Sequence, residues 1–285
     1  MEDYCCQSGY IADLWQFVPV LFLLSPKHAC SLDPQASLCL ETGWQACQDA
    51  GLPLTVSQAN THQEKLNVGV FVGVFWSHYE LFSAELAERG SQFALGTSAS
   101  SVANLVSYCL NLKGPSVALD SMCSSSLSSV HFAVESLRRG ECEYAIAGGV
   151  NLVCHPHKFK FLREAGFLSS DLRCRAFGAD GDGYVPGEGV GAVLLMRKQD
   201  ALQLGYPIQG VIKGSALNHS GRTAGLSVPE PNAQADVIAR ALQDADVSAQ
   251  TLRYVEAHGH GTSLGHTIAR AGPHTAARKW TDDNK

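Results

Sequence analysis

An α/β fold is predicted from three neighbouring segments: a short strand at Ser116 to Leu119, an amphipathic helix over residues 124–139, and a strand of small residues from Tyr144 to Val150. Strand, helix and strand in that order argue for a sheet layered with helices rather than an all-helical or all-β chain. A chain of 285 residues with 45% hydrophobic and 17% charged residues has the means to build a substantial core. No tandem repeat or low-complexity linker interrupts it, so one domain is expected.

Along the chain, residues 32–50 form the first predicted helix. Ala36, Leu40, Trp44 and Cys47 recur at three- and four-residue intervals, and Asp33-Pro34 supplies a cap and a pre-set first turn. Gly51-Leu52-Pro53 ends it. Residues 54–65 read as a polar loop, and Val68 to Val74, nearly all apolar, as a strand covered on both faces. Ser100 to Leu110 is the next helix, followed by the turn Lys113-Gly114-Pro115. In the 124–139 helix, Leu127, Val130, Val134 and Leu137 are expected to form the buried stripe, with Gly140 as the stop. His155 to Asp182 reads as polar and irregular. Ala192 to Met196, Ile208 to Gly214 and Arg253 to Ala257 are predicted strands, and residues 233–242 a helix.

The net charge of -6, without any Lys/Arg-rich block, argues against nucleic acid as a partner, because a phosphate-binding surface needs a positive field. The apolar run Phe17 to Leu24 is far short of the roughly 20 residues that span a bilayer, and its flanks do not make a signal peptide. A cytoplasmic setting without membrane association is the expectation. Ten cysteines without repeated CxxC spacing read as reduced thiols, mostly buried.

Chemistry concentrates in two places. SVALDSMCSSSLSSV (116–130) puts Cys123 between a strand and a helix, where unpaired amides lower a thiol pKa and stabilise an oxyanion. Spacing alone fits a buried structural thiol equally well. EAHGHGTSLGH (256–266) places His258 in a glycine-rich turn, suited to moving a proton near neutral pH. His258 and His260 are alternatively spaced to share a metal, though a third ligand is not identified and there is no HExxH. GDGYVPGEGVGAV (181–193) lacks the order of a dinucleotide fingerprint, and Asp180 and Asp182 read as turn residues.

Taken together, these motifs resemble the β-ketoacyl synthases of the thiolase-like superfamily, specifically the ketosynthase domain of a modular polyketide synthase. DSMCSSSL (120–127) is similar to that family's nucleophile motif, and EAHGHGT (256–262) to its first histidine motif. SPKHACSLDPQASLCLETGWQACQDAG (25–51), NLKGPSVALD (111–120), LRRGECEYAIAGGVN (137–151), GDGYVPGEGVGAVLL (181–195) and VIKGSALNHSGRTAG (211–225) match in family order. Residues 151–178 and Met122 look most like synthases that use a free-standing acyltransferase; a fatty acid synthase ketosynthase is the less similar alternative. The resemblance implies a layered α-β-α-β-α thiolase-like fold, usually a homodimer. It implies Cys123 as the nucleophile that accepts an acyl chain from an acyl carrier protein. A malonyl-type extender on its carrier then condenses with loss of carbon dioxide, with His258 as a catalytic histidine and no metal or other cofactor.

The sequence also departs from the family's pattern. His260 stands where a small Thr is usual, Leu105 and Ser37 where Arg is usual. Residues 1–265 read as a partial ketosynthase domain, mostly its N-terminal half with the start of the C-terminal half, hence an incomplete fold, and residues 266–285 as a divergent tail. HTIARAGPHTAAR (266–278) resembles the family's later histidine motif. Either an internal join at Leu264-Gly265 makes His266 the counterpart of the second catalytic histidine, or the tail has drifted after a frameshift. The expected outcome is a condensing enzyme weak or inactive in isolation, the alternative a non-catalytic remnant that binds a synthase or carrier partner.

Overall fold

The computed structural model describes residues 8–54, 65–90, 98–225, 228–259 and 261. The chain falls into two compact units. The first holds Tyr10–Lys158 and Gly187–Gln209; the second holds Phe159–Pro186 and the segment from Gly210 onward.

The first unit is a four-stranded mixed sheet with helices on both faces. In chain order its elements are α1 (Pro34–Asp49), β1 (Val68–Val74), α2 (Tyr79–Glu88), α3 (Ala99–Cys109), β2 (Ser116–Leu119), α4 (Ser125–Arg138) and β3 (Tyr144–Asn151). β4 (Gly189–Met196) and α6 (Lys198–Leu204) complete the set, and between β3 and β4 in the chain lies helix α5 (His157–Glu164), most of which belongs to the second unit. The strand order is β2-β1-β3-β4. β1 is parallel to both neighbours, with Val70 opposite Ser116 and Val68 opposite Tyr144, while β4 runs antiparallel to β3 with Tyr144 opposite Met196.

The start of α1 has the physical cause expected of it. The Asp33 carboxylate accepts the Gln35 N–H at 2.8 Å and Pro34 occupies the first turn of α1. β1 is buried along its whole length, as a central strand covered on both faces must be. Val68, Val70, Val72 and Val74 point into a core shared with Ala36 and Leu40 of α1 and Val102 and Val106 of α3. The alternate face presents Gly69, Phe71 and Gly73, and α4 lies over it.

That second face corrects the expected stripe of α4. Its buried residues are Ser125, Ser128, Ser129, Ala133, Ser136 and Leu137, and Leu127 is 72% exposed. The reason is distance. A Cβ at Gly73 would stand 2.5 Å from the Ser125 carbonyl carbon, and one at Gly149 would stand 2.8 Å from the Ser126 Cβ. Where helix and strand backbones approach so closely, only small residues fit on the facing side. The hydroxyls that this buries are satisfied: Ser129 Oγ bonds the Gly148 carbonyl and the Ser126 carbonyl, both at 2.7 Å.

In the second unit, α7 (Pro231–Ala245) is capped by the Glu230 carboxylate, which accepts the Ala233 N–H at 2.5 Å. Ser215 N–H donates to the Asp244 carboxylate at 2.9 Å. Asp180 is in a turn with a left-handed φ of 58°, as expected, while Asp182, in the extended segment that follows, accepts the Ser170 N–H at 3.1 Å. Three expectations fail. Ile208–Gly214 and Arg253–Ala257 are not in a ladder, because among the described residues no strand lies beside them to supply the paired N–H and C=O groups that define a strand. Within the polar stretch 155–182, α5 forms because Phe159 and Leu162, three residues apart, bury one face while Lys160 and Arg163 stay exposed.

The close packing of α4 makes opposite predictions for two substitutions. Gly73→Ala should destabilise the protein by about 1–3 kcal/mol or more through overpacking against backbone. Leu127→Ser should lie within about 0.5 kcal/mol of the parent, as surface changes do. Denaturant midpoints of the two variants check both; equal effects would contradict the assigned faces.

Candidate active site

Cys123 sits in a 3-10 turn, Met122–Ser124, that joins the end of β2 to the start of α4, and it is exposed. The chain reverses from strand to helix within a few residues, and Met122 takes up the bend with a left-handed φ of 57°. A non-glycine residue held there costs on the order of 1–3 kcal/mol and persists only when its surroundings over-determine it. They do so here. Asp120 Oδ1 accepts the Met122 N–H at 2.8 Å. Ser125 Oγ accepts the Ser121 N–H at 2.9 Å and donates to the Met122 carbonyl at 2.6 Å, closing a clasp around the thiol-bearing residue. Ser124 Oγ donates to the Ser121 carbonyl at 2.9 Å, and Ser121 Oγ meets Ser128 Oγ at 2.8 Å.

The serines following Cys123 thus have specific work: they hold the turn and let α4 approach the sheet. The thiol is presented at the N-terminal end of a 14-residue helix, whose first amides have no intrahelical partner and are placed to hold an oxyanion. Of the two readings that spacing left open for Cys123, exposure excludes the buried structural thiol. Among the eight described cysteines, Cys39, Cys47, Cys109 and Cys142 are buried, whereas Cys30, Cys123 and Cys174 are exposed. Burial pushes the Cys47 thiol up to about 12 and the Cys109 thiol up to about 11.

His258 belongs to the second unit and is exposed, in a turn where Gly259 and Gly261 have φ of 52° and 76°. Cys123 and His258 are each built within their own unit. His260 and His266 lie outside the described residues, as does the 266–285 tail. Among the described residues no group of three or more His, Cys, Asp or Glu is arranged to hold a metal, and no helix is long and apolar enough to cross a membrane.

A polar cluster in the first unit escaped the reading of the sequence. The His78 ring stacks on Trp76 at 4.6 Å and meets His157 edge-on at 6.2 Å. Lys158 Nζ lies 5.2 Å from the Trp76 ring centroid and bonds Asn151 Oδ1 at 2.6 Å, and His155 Nε2 contacts Glu85 Oε1 at 3.1 Å. His78 is only 7% exposed, and neither ring nitrogen has a hydrogen-bond partner. Burial, then the Lys158 charge, lowers its pKa to about 4, so it is a neutral imidazole at pH 7. Burial also lowers Lys158 to about 8. The signal was present as WSH at 76–78 and HPHK at 155–158, but bringing the two together is the work of the fold.

A mixed sheet flanked by helices on both faces is consistent with the thiolase-like α/β architecture. A family model of the β-ketoacyl synthase N-terminal domain matches residues 2–201, and one of the C-terminal domain matches residues 209–278. The chain belongs to the β-ketoacyl synthase family. It is 47% identical over 285 residues to polyketide synthase PksL of Bacillus subtilis (strain 168), covering all of this chain and 6% of that protein. It is also 47% identical over 271 residues to polyketide synthase ThaG of Burkholderia thailandensis, covering 95% of this chain and 5% of ThaG. Among solved structures, the oxazolomycin ketosynthase domain OzmH KS7 of Streptomyces albus JA3453 superposes with a TM-score of 0.88 at 45% identity, covering 95% of this chain and 46% of that one. A ketosynthase from module 6 of the bacillaene synthase of Bacillus subtilis 168 gives 0.85 at 33% identity, again with 95% and 46% covered. The chain therefore spans about half the length of these solved ketosynthases and a small part of the curated synthases it matches.

Two outcomes follow from the site's energetics. Ser125→Ala removes both bonds of the clasp and leaves the Ser121 N–H unsatisfied, which should cost about 1–3 kcal/mol in stability; urea unfolding measures it, and a change below about 0.5 kcal/mol would show the clasp to be dispensable. For His78 the folded pKa lies below the ordinary 6.5, so the unfolded chain takes up a proton first as the pH falls. Stability present above pH 6.5 should decline towards pH 4, and His78→Gln should flatten that slope in urea midpoints taken across the range.

Proposed function

We propose that this chain is the ketosynthase of a polyketide assembly line, of the kind served by a free-standing acyltransferase. Cys123 is the nucleophile. Its thiolate attacks the thioester carbonyl of an acyl chain delivered on the phosphopantetheine arm of an acyl carrier protein. The oxyanion that forms is held by the amides at the head of α4, the Cys123 N–H among them; the carrier thiolate leaves, and an acyl-Cys123 thioester remains.

A malonyl-type extender on its carrier then loses carbon dioxide, and the electron pair of the broken C–C bond becomes an enolate. His258, with His266 as a second candidate, hydrogen-bonds the developing negative charge. The enolate carbon attacks the acyl-Cys123 carbonyl, and the Cys123 thiolate leaves, so a β-ketoacyl chain stays on the carrier. The working protein is a cytoplasmic homodimer that recognises carrier-bound thioesters, with no metal or redox cofactor in the reaction.

The observation that carries this reading is the placement of Cys123: solvent-exposed, at a strained turn, on the N-terminal end of α4. Residues 151–178 and Met122 support the acyltransferase subclass. Incubation of the purified chain with a short acyl-thioester donor, followed by intact-mass measurement, should show one acyl adduct on the parent and none on Cys123→Ala. No adduct on a folded sample would reject the catalytic reading and favour a remnant that only binds its partner. Decarboxylation and C–C bond formation are then measured separately.

A further inference from the structure

The turn that carries His258 is seated on a loop of the same unit, residues 171–181. Asp171 and Arg175 open that loop with a two-pronged ion pair, and Gly178 N–H donates to the Arg175 carbonyl at 3.0 Å. Phe177 lies between them with a left-handed φ of 60° and is 47% exposed. An aromatic residue in that conformation is unfavourable, and such strain persists only where the surroundings hold it.

The ring lies against Gly259, the residue after His258. A Cβ there would stand 2.8 Å from Phe177 Cε2 and 3.0 Å from Cζ, closer than real side chains approach, so the ring occupies the space that a side chain at 259 would need. Gly259 is itself left-handed. On the far side of the turn the same loop makes a second contact: a Cβ at Gly181 would stand 2.3 Å from the Gly261 carbonyl oxygen. The histidine turn is therefore held at two points, one on each side of residue 260.

We infer that Phe177 is a positioning residue for His258, its ring seating the glycine turn so that the imidazole is presented in one place. This rests on the reading of His258 as the group that meets the enolate. A flexible glycine turn would not by itself keep an exposed histidine within the tolerance of catalysis, where a 1 Å displacement costs about 100-fold. Phe177 touches no reacting atom; it acts through Gly259.

The test uses the full chain and separates the two half-reactions. Phe177→Ala should leave acyl transfer to Cys123 within about twofold of the parent, and slow decarboxylation of a malonyl thioester about 10- to 100-fold. It should also shift and broaden the His258 imidazole ¹H–¹³C signal, assigned with His258→Ala. Phe177→Tyr, which keeps the ring, should restore both readouts, whereas Gly259→Ala, whose methyl group displaces the ring, should reproduce the Phe177→Ala signal change. An unaltered His258 signal in folded Phe177→Ala overturns the inference, whether or not the parent decarboxylates. If His258→Ala leaves decarboxylation intact, it is the reading of His258 that fails, and the imidazole signal still decides whether Phe177 seats the turn.

Discussion

The close approach of α4 to the glycine face of β1 and β3 is the constraint on which the candidate site depends. Helices usually pack on sheets through large apolar side chains. Here Gly73 and Gly149 face Ser125 and Ser126, Ser129 Oγ reaches the Gly148 carbonyl, and the backbones lie almost in contact. This geometry leaves the start of α4 little freedom in position, and the cysteine lies two residues before that start. The burial that anchors the sheet is on its other face, where the valines of β1 meet α1 and α3. One face supplies the hydrophobic stabilisation, and the other supplies the placement.

Holding a helix start so near a strand end forces a sharp turn, and the structure meets that demand through strain compensated by hydroxyls. Met122 in the left-handed region is unfavourable, and Ser121, Ser124, Ser125 and Ser128 form the hydrogen-bonded frame that stabilises it. Serine serves both needs at once. It is small enough for the helix to approach the sheet, and its hydroxyl satisfies turn amides and carbonyls that the helix leaves unpaired. The thiol of Cys123 then projects towards solvent at the positive end of the helix rather than into the core.

The histidine turn of the second unit is built by a different means. Gly259 and Gly261 adopt left-handed conformations that other residues rarely take up, and they pack against the neighbouring loop, which the Asp171–Arg175 pair opens. That pair holds the Asp171 carboxyl down to about 2, so the anchor stays charged across the neutral range. The cluster around His78 illustrates the opposite case: burial has forced an imidazole to remain neutral beside a lysine.

Local sequence alone determined the elements whose signals are local. Asp33-Pro34 announced α1, the run VGVFVGV announced β1, and the strand-turn-helix spacing around Cys123 placed the cysteine where the structure has it. Family motifs extended that reading to the thiolase-like class, which the fold and the family match bear out. What only the tertiary structure decided depends on surfaces remote in sequence. Hydrophobic periodicity assigned Leu127 to the core of α4, but the shape of the glycine face admits only small residues there, so the leucine points to solvent. Residues 208–214 and 253–257 have strand-like composition, yet a strand exists only when a partner supplies its hydrogen bonds. The joining of 76–78 to 155–158 and the seating of Gly259 on Phe177 are of the same kind: each is a contact between segments whose sequences, read separately, hold no sign of the other.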